Sequence, residues 1–229
     1  MQKLFGTTEY HPISLGYSCY PAMFITKVGV ADLTFYERHV FDWLGTPMWS
    51  ICKLIENDFA DFISSKDVLV NRKHNIDSDT FHITNSENNV IFSHDFNYLE
   101  NVTENDVNKV REKYDRRIER FKQMLVSDKK IVFIRLERWN SNFINFPEYN
   151  ITESETFYVK KFSSLLKEKG TNFKIVYLTT TNPTAWDPES QICYVNFTPP
   201  SDDKHISEFK IRDILLENKE FIHASFKDT

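Results

Sequence analysis

A chain of 229 residues can bury a real hydrophobic core in one large domain or two small ones. With 41% apolar and 15% aromatic residues, 20 Phe and only 5 Gly, it is neither disordered nor fibrous, and it holds no Gly-rich nucleotide loop or P-loop. A net charge of -5 gives no electrostatic reason to expect nucleic acid or an anionic membrane as partner.

In chain order, a short apolar stretch with Ile13 and Leu15 stops at Gly16, and a helix over 20–28 follows, stopped by Gly29. Residues 34–44 are rich in aromatics and include Phe41-Asp42-Trp43. Thr46-Pro47 opens a second helix. Met48, Ile51, Ile55, Phe59, Phe62 and Ile63 recur at spacings of three and four and predict one buried face through 63, with Cys52 beside it in the core. Residues 64–89 alternate short apolar pieces with polar clusters and suit short strands or a hairpin. Val90 to Phe92 form a compact strand ending at Ser93-His94-Asp95.

A long amphipathic helix starts near residues 101–104 and runs to about Val126, with Val107, Val110, Tyr114, Ile118, Phe121 and Leu125 inward and a charged outer face. On that outer face Arg116, Arg117 and Arg120 lie among Glu112, Asp115 and Glu119, the pattern of a solvated, salt-bridged surface. Residues 129–197 then alternate strand and helix: strand 131–134, helix 154–169 stopped by Gly170, strands 173–178 and 191–197, halted by Pro199-Pro200. A final helix covers 208–216. Near-continuous apolar runs joined through a helix predict parallel strands covered on both faces. The expectation is a single α/β domain over 1–229. Its central sheet is mostly parallel or mixed, flanked by helices and Rossmann-like in the C-terminal half, with a papain-like α+β core as the alternative.

Three cysteines without zinc-knuckle spacing argue against a disulfide framework and for a cytoplasmic protein. Neither a secretory signal nor a membrane span is expected from the pattern. The histidines lack zinc-ligand spacing, so no metal and no cofactor is expected.

Chemistry concentrates at Cys19, which follows Gly16 and Ser18 at the mouth of a predicted helix. A thiol placed there is favoured as thiolate by unpaired N–H groups and the helix dipole. His94, at a strand end, offers a base, because residues distant in sequence can meet in space. Both residues equally suit plain packing. Arg135 follows a strand in an apolar context, at a place where α/β sheets gather ligands, although an ion pair with Glu137 or an acid elsewhere explains it equally well. Thr179-Thr180-Thr181-Asn182 occupies the corresponding end of the next strand and suits either a polar ligand or a capped turn.

An ordered series of motifs adds to this. Ser14-Leu15-Gly16, Cys19 and Pro21-Ala22 are followed by Phe41-Asp42-Trp43, Thr46-Pro47, Asn57-Asp58-Phe59, Asp61-Phe62, Phe92-Ser93-His94-Asp95-Phe96, Tyr114 with Arg116, Arg117 and Arg120, and Val132-Phe133-Ile134-Arg135. Through roughly its first two thirds the chain resembles the family described as "putative papain-like cysteine peptidase". The resemblance implies Cys19 as nucleophile and His94 as general base, with a third polar group orienting the imidazole. Asp95 adjoins His94 and on a regular strand would point to the opposite face, so Asp42, Glu137 or Asn140 is as good a candidate, with Asp42 ranked first. Gly16, Ser18, Asp95 and Arg135 are the expected substrate-binding residues.

The leading reading is a cysteine-dependent hydrolase or acyl transferase acting on a peptide or small-molecule amide. A Rossmann-like transferase or non-thiol hydrolase with a pocket at the strand ends is the second. A non-enzymatic protein presenting an aromatic surface to a protein partner is the third.

Overall fold

The computed structural model describes residues 10–27, 37–60, 62–63, 68–69, 74–75, 78–81, 83–85, 88–92, 94–96, 102–137, 151–199 and 208–227. The expected helix stop at Gly29, the Pro200 half of the Pro-Pro break and the candidate Asn140 lie outside these residues. In chain order the elements are β1 (Tyr10–Ser14), α1 (Tyr20–Lys27), β2 (Leu44–Gly45), α2 (Met48–Glu56), β3 (Val68–Leu69), β4 (His74–Asn75), β5 (Ser78–Phe81), β6 (Ile83–Asn85), β7 (Val90–Phe92), α3 (Glu104–Leu125), β8 (Lys130–Leu136), α4 (Glu155–Glu168), β9 (Phe173–Thr179), β10 (Ala185–Asp187), β11 (Ile192–Asn196), α5 (Glu208–Glu217) and α6 (Lys219–Lys227).

The main sheet has the order β1-β8-β9-β11-β10. Its first four strands are parallel, and β10 closes one edge as an antiparallel partner of β11. Alternation along the buried strands sends side chains to both faces. Ile131, Phe133, Ile175 and Tyr177 join α2, α3 and α4 in one apolar cluster, while Val132, Ile134, Val176 and Leu178 join α1, α5 and α6 in another. This is a mixed α/β sheet flanked by helices, as the strand–helix rhythm predicts. Among the described residues antiparallel pairing, the mark of the papain-like alternative, is confined to β10, the small β2-β7-β6-β3 sheet and the β4–β5 pair.

Local chemistry explains the element ends. Thr103 caps α3 in a reciprocal capping box with Asp106, and Ser154 caps α4 through the Phe157 N–H. Gly170, at φ +70°, ends the α4 segment. The predicted second helix is shorter than its apolar periodicity suggests. It stops at Glu56 because Asp58 and Phe59 take left-handed φ of 56° and 62°, and the Phe59 N–H turns back to the Leu54 carbonyl at 2.6 Å. Phe59, Phe62 and Ile63 are still buried, reached through a turn instead of a helix face. Helix α6 and strand β10 have no counterpart in the sequence reading. Among the described residues no helix is long and apolar enough to cross a membrane, and no group of His, Cys, Asp and Glu could hold a metal ion.

The 39–42 turn is pinned to β1 by a histidine pair. His11 and His39 ring nitrogens approach to 3.0 Å with the rings edge-on. Burial, reinforced by His11 and the cations Arg120, Arg117 and Lys129, lowers the His39 pKa to about 3. An unfolded histidine titrates near 6.5, so between about pH 6.5 and 3 the unfolded chain binds a proton that the native state refuses. Stability is therefore full above pH 6.5 and falls on acidification by up to about 1.4 kcal/mol per pH unit from this site. His39→Gln is expected to flatten that acid limb, read as the change in urea midpoint between pH 7 and pH 5; an unchanged slope contradicts the assignment.

Candidate active site

Strand β1 runs out at its carboxyl end into Leu15, Gly16, Tyr17, Ser18 and Cys19, and α1 starts at Tyr20. The Leu15 N–H still bonds to the Ile134 carbonyl at 3.0 Å, so the turn begins only after Leu15. Gly16 and Tyr17 both take left-handed backbone, at φ 69° and 74°. Ser14 Oγ accepts the Gly16 N–H and Ser18 Oγ accepts the Tyr20 N–H. The Cys19 carbonyl accepts the Met23 N–H at 2.8 Å, the first helical bond, which makes Cys19 the N-cap residue of α1. Cys19 is half-buried, whereas Cys52 and Cys193 are fully buried. Burial pushes both of those thiols up to about 12.

The same loop packs on the segment 41–46. A Cβ at Gly16 would lie 3.2 Å from the Leu44 carbonyl oxygen and 3.3 Å from that of Phe41. His94 meets the same segment through Trp43. β2 pairs antiparallel with β7, Leu44 facing Phe92, so residues just before Leu44 run beside those just after Phe92. The His94 ring meets Trp43 edge-on with centroids 5.7 Å apart. Trp43 holds φ 65°, a backbone state that costs a bulky residue about 1 kcal/mol or more and so marks a position fixed by its surroundings. His94 is exposed at the rim of a cavity of about 220 Å³ lined by Arg38, Trp43, His94, Asp95, Lys113 and Arg117. Cys19 does not line it; the 41–46 segment is what both motifs touch.

The remaining expected site residues are engaged as follows. Asp95 pairs with Lys113 and accepts the Tyr114 hydroxyl at 2.8 Å, and it lines the same cavity as His94, since β7 ends at Phe92 and residues 94–96 bend and do not continue the strand. Asp42 is fully buried, and its Oδ2 accepts the His39 N–H at 2.8 Å, closing the 39–42 turn. Arg135 is wholly buried beneath the cysteine loop. Its Nη1 donates to the Leu15 and Thr46 carbonyls at 2.7 and 2.8 Å, and its Nε pairs with Glu155 at 2.7 Å. Its guanidinium carbon lies 5.7 Å from the Tyr17 ring centroid. Of the two ion-pair expectations, Glu137 or an acid elsewhere, it is the second that holds, with Glu155 as the partner.

The Glu137 carboxylate instead caps the turn after β9. It accepts the Thr179, Thr180 and Thr181 hydroxyls and the Thr180 and Thr181 N–H groups. Burial opposes its ionised form, but the hydrogen bonds from Thr180, Thr181 and Thr179 outweigh it and hold the carboxyl below the usual range. The capped-turn reading of Thr179-Thr180-Thr181-Asn182 is the one the structure carries.

Sequence reasoning missed Arg38, Lys113 and Arg117 as site residues. Arg117 was legible: it falls three residues after Tyr114, seven after Val110 and four before Phe121, on the buried face of α3. Its guanidinium carbon stands 5.0 Å from the Tyr114 ring centroid, and the residue is only 6% exposed, not part of a solvated outer face.

Over residues 10–182 the chain matches the family described as "Putative papain-like cysteine peptidase". The chain belongs to this family. No curated protein and no solved structure matches the chain. Within the papain-like cysteine peptidase match lie both the Cys19 loop and the His94 cavity. The match ends at Asn182, the last residue of the turn capped by Glu137.

Proposed function

We propose that the protein is a cysteine-dependent hydrolase of peptide or amide bonds, with Cys19 as nucleophile and His94 as general base. The observation that carries this reading is the contrast among the three thiols. Cys19 alone is partly open, at the N-cap of an eight-residue helix and the carboxyl end of a parallel strand. There the helix N–H groups and dipole favour a thiolate, while Cys52 and Cys193 are held protonated by burial. His94, exposed beside Trp43, is free to accept and return a proton once substrate bridges the 41–46 segment, and hydrogen bonds of this kind tighten only in the complex. Asp42, through the turn it closes, sets the position of Trp43 and is a positioning residue for the imidazole.

In this scheme His94 takes the Cys19 proton as the sulfur attacks the carbonyl carbon, and hands it to the amine as the C–N bond breaks; it then takes a proton from the water that attacks the thioester, and returns it to the sulfur as the C–S bond breaks and the acid leaves. The test combines labelling and turnover. Iodoacetamide at pH 7.5 is expected to modify Cys19 about 10²-fold faster than Cys52 or Cys193, and more slowly in His94→Ala. On a panel of fluorogenic peptides, Cys19→Ala is expected to lose turnover by about 10³-fold or more and His94→Ala by about 10²-fold or more. Turnover that survives Cys19→Ala sinks the thiol mechanism and favours the second reading, a non-thiol hydrolase or transferase, which the mostly parallel sheet supports.

A further inference from the structure

We infer that the cavity beside His94 is an anion subsite that takes a carboxylate of the peptide substrate next to the scissile bond. Three cations, Arg38, Lys113 and Arg117, face it against one carboxylate, Asp95. Asp95 is already committed to Lys113 and the Tyr114 hydroxyl, and its side chain is only 3% exposed. Two guanidinium groups therefore remain. Arg38 is held over the Trp43 ring at 5.5 Å and Arg117 over the Tyr114 ring at 5.0 Å, and among the described residues neither forms an ion pair.

A cation as buried as Arg117 is costly without a counter-charge, and this occurs in a chain whose net charge is -5. Guanidinium groups match the planar, two-oxygen geometry of a carboxylate. At about 220 Å³ the cavity suits one acidic side chain or a chain terminus, and falls short of the volume usual for a nucleotide-sized ligand. The stacking on Trp43 and Tyr114 fixes both guanidiniums before the anion arrives, so little ordering is left for binding.

The subsite rests on the proposed role of His94 only for its place beside the scissile bond; the binding itself does not. The test uses the full chain with Cys19→Ala, to stop turnover, and calorimetric titration with blocked peptides that differ by one Glu-to-Gln exchange. Glu peptides are expected to bind at least about tenfold more tightly, with the His94 ring resonances shifting on binding. A Gln peptide ending in a free carboxylate tests the chain terminus as the source of the anion. The preference is expected to vanish in Arg38→Gln, at an exposed position, and in Arg117→Gln, with partial recovery in Arg117→Lys. Equal binding of Glu and Gln peptides, no binding of either, competition by inorganic phosphate without a Glu preference, or a preference that survives both arginine changes overturns the subsite. Preferential binding without hydrolysis by the unmodified protein would instead overturn the thiol mechanism and leave the subsite standing.

Discussion

Arg135→Met is expected to destabilise the fold by about 3–5 kcal/mol, measured as the loss in urea unfolding free energy at pH 7. The substitution keeps most of the side-chain volume, so the cost is electrostatic and not a cavity. Arg135 has no exposed surface, and its guanidinium serves three segments at once: the end of the cysteine loop at Leu15, the start of α2 at Thr46 and the first residue of α4 at Glu155. Removing it leaves two buried carbonyls without their donor and a carboxylate whose side chain is 15% exposed without its cation. The double variant Arg135→Met, Glu155→Leu relieves the stranded carboxylate but not the carbonyls, and is expected to recover only part of the loss. Full recovery would show that the arginine acts on Glu155 alone. Arg135→Lys keeps the charge but not the fork that reaches two carbonyls and a carboxylate, and falls in between.

Gly16→Ala acts on the same loop through the backbone. At φ 69° an L-residue costs about 1 kcal/mol, and the new methyl would press on the Leu44 and Phe41 carbonyl oxygens and the Thr46 Cβ, 3.4 Å away. Two of these neighbours are main-chain atoms that cannot swing aside, so the loop itself must lift. A loss of about 2–4 kcal/mol is expected, with a larger fractional effect on turnover than on binding, because Cys19 is displaced while the cavity at His94 is not. A variant of normal stability and normal turnover would mean that the loop can shift without consequence, and that Gly16 does not set the position of the cysteine.

How far the sequence reveals these features follows from which forces act locally. Strands β8, β9 and β11 and helix α4 are legible because apolar runs, the Ser154 cap and Gly170 are all local signals, whereas the short edge strand β10 carries none of these. The pairing of β1 with β8 spans about 120 positions and depends on tertiary packing, so the short stretch before Gly16 reads as a fragment and not as an edge of the main sheet. Asp58 and Phe59 end α2 through left-handed backbone, which apolar periodicity does not register. At the site, the helix-mouth position of Cys19 follows from the pattern. The partner of Arg135 does not, because the choice between Glu137 and Glu155 is made by the threonines that claim Glu137 first.

Strand β1 is the outer parallel strand of the main sheet, and its register explains a residue that would be harmful elsewhere. The Leu15 N–H points toward β8, so by alternation Ile13 and His11 point the same way, and Pro12 and Ser14 point outward. The donor that Pro12 lacks is therefore taken from the side of β1 on which, among the described residues, no strand pairs, and not from the ladder. That side cannot offer an unbroken row of N–H groups to a strand of another chain. Self-assembly through this border is thus discouraged by one ring, closed four positions before Gly16 opens the cysteine loop.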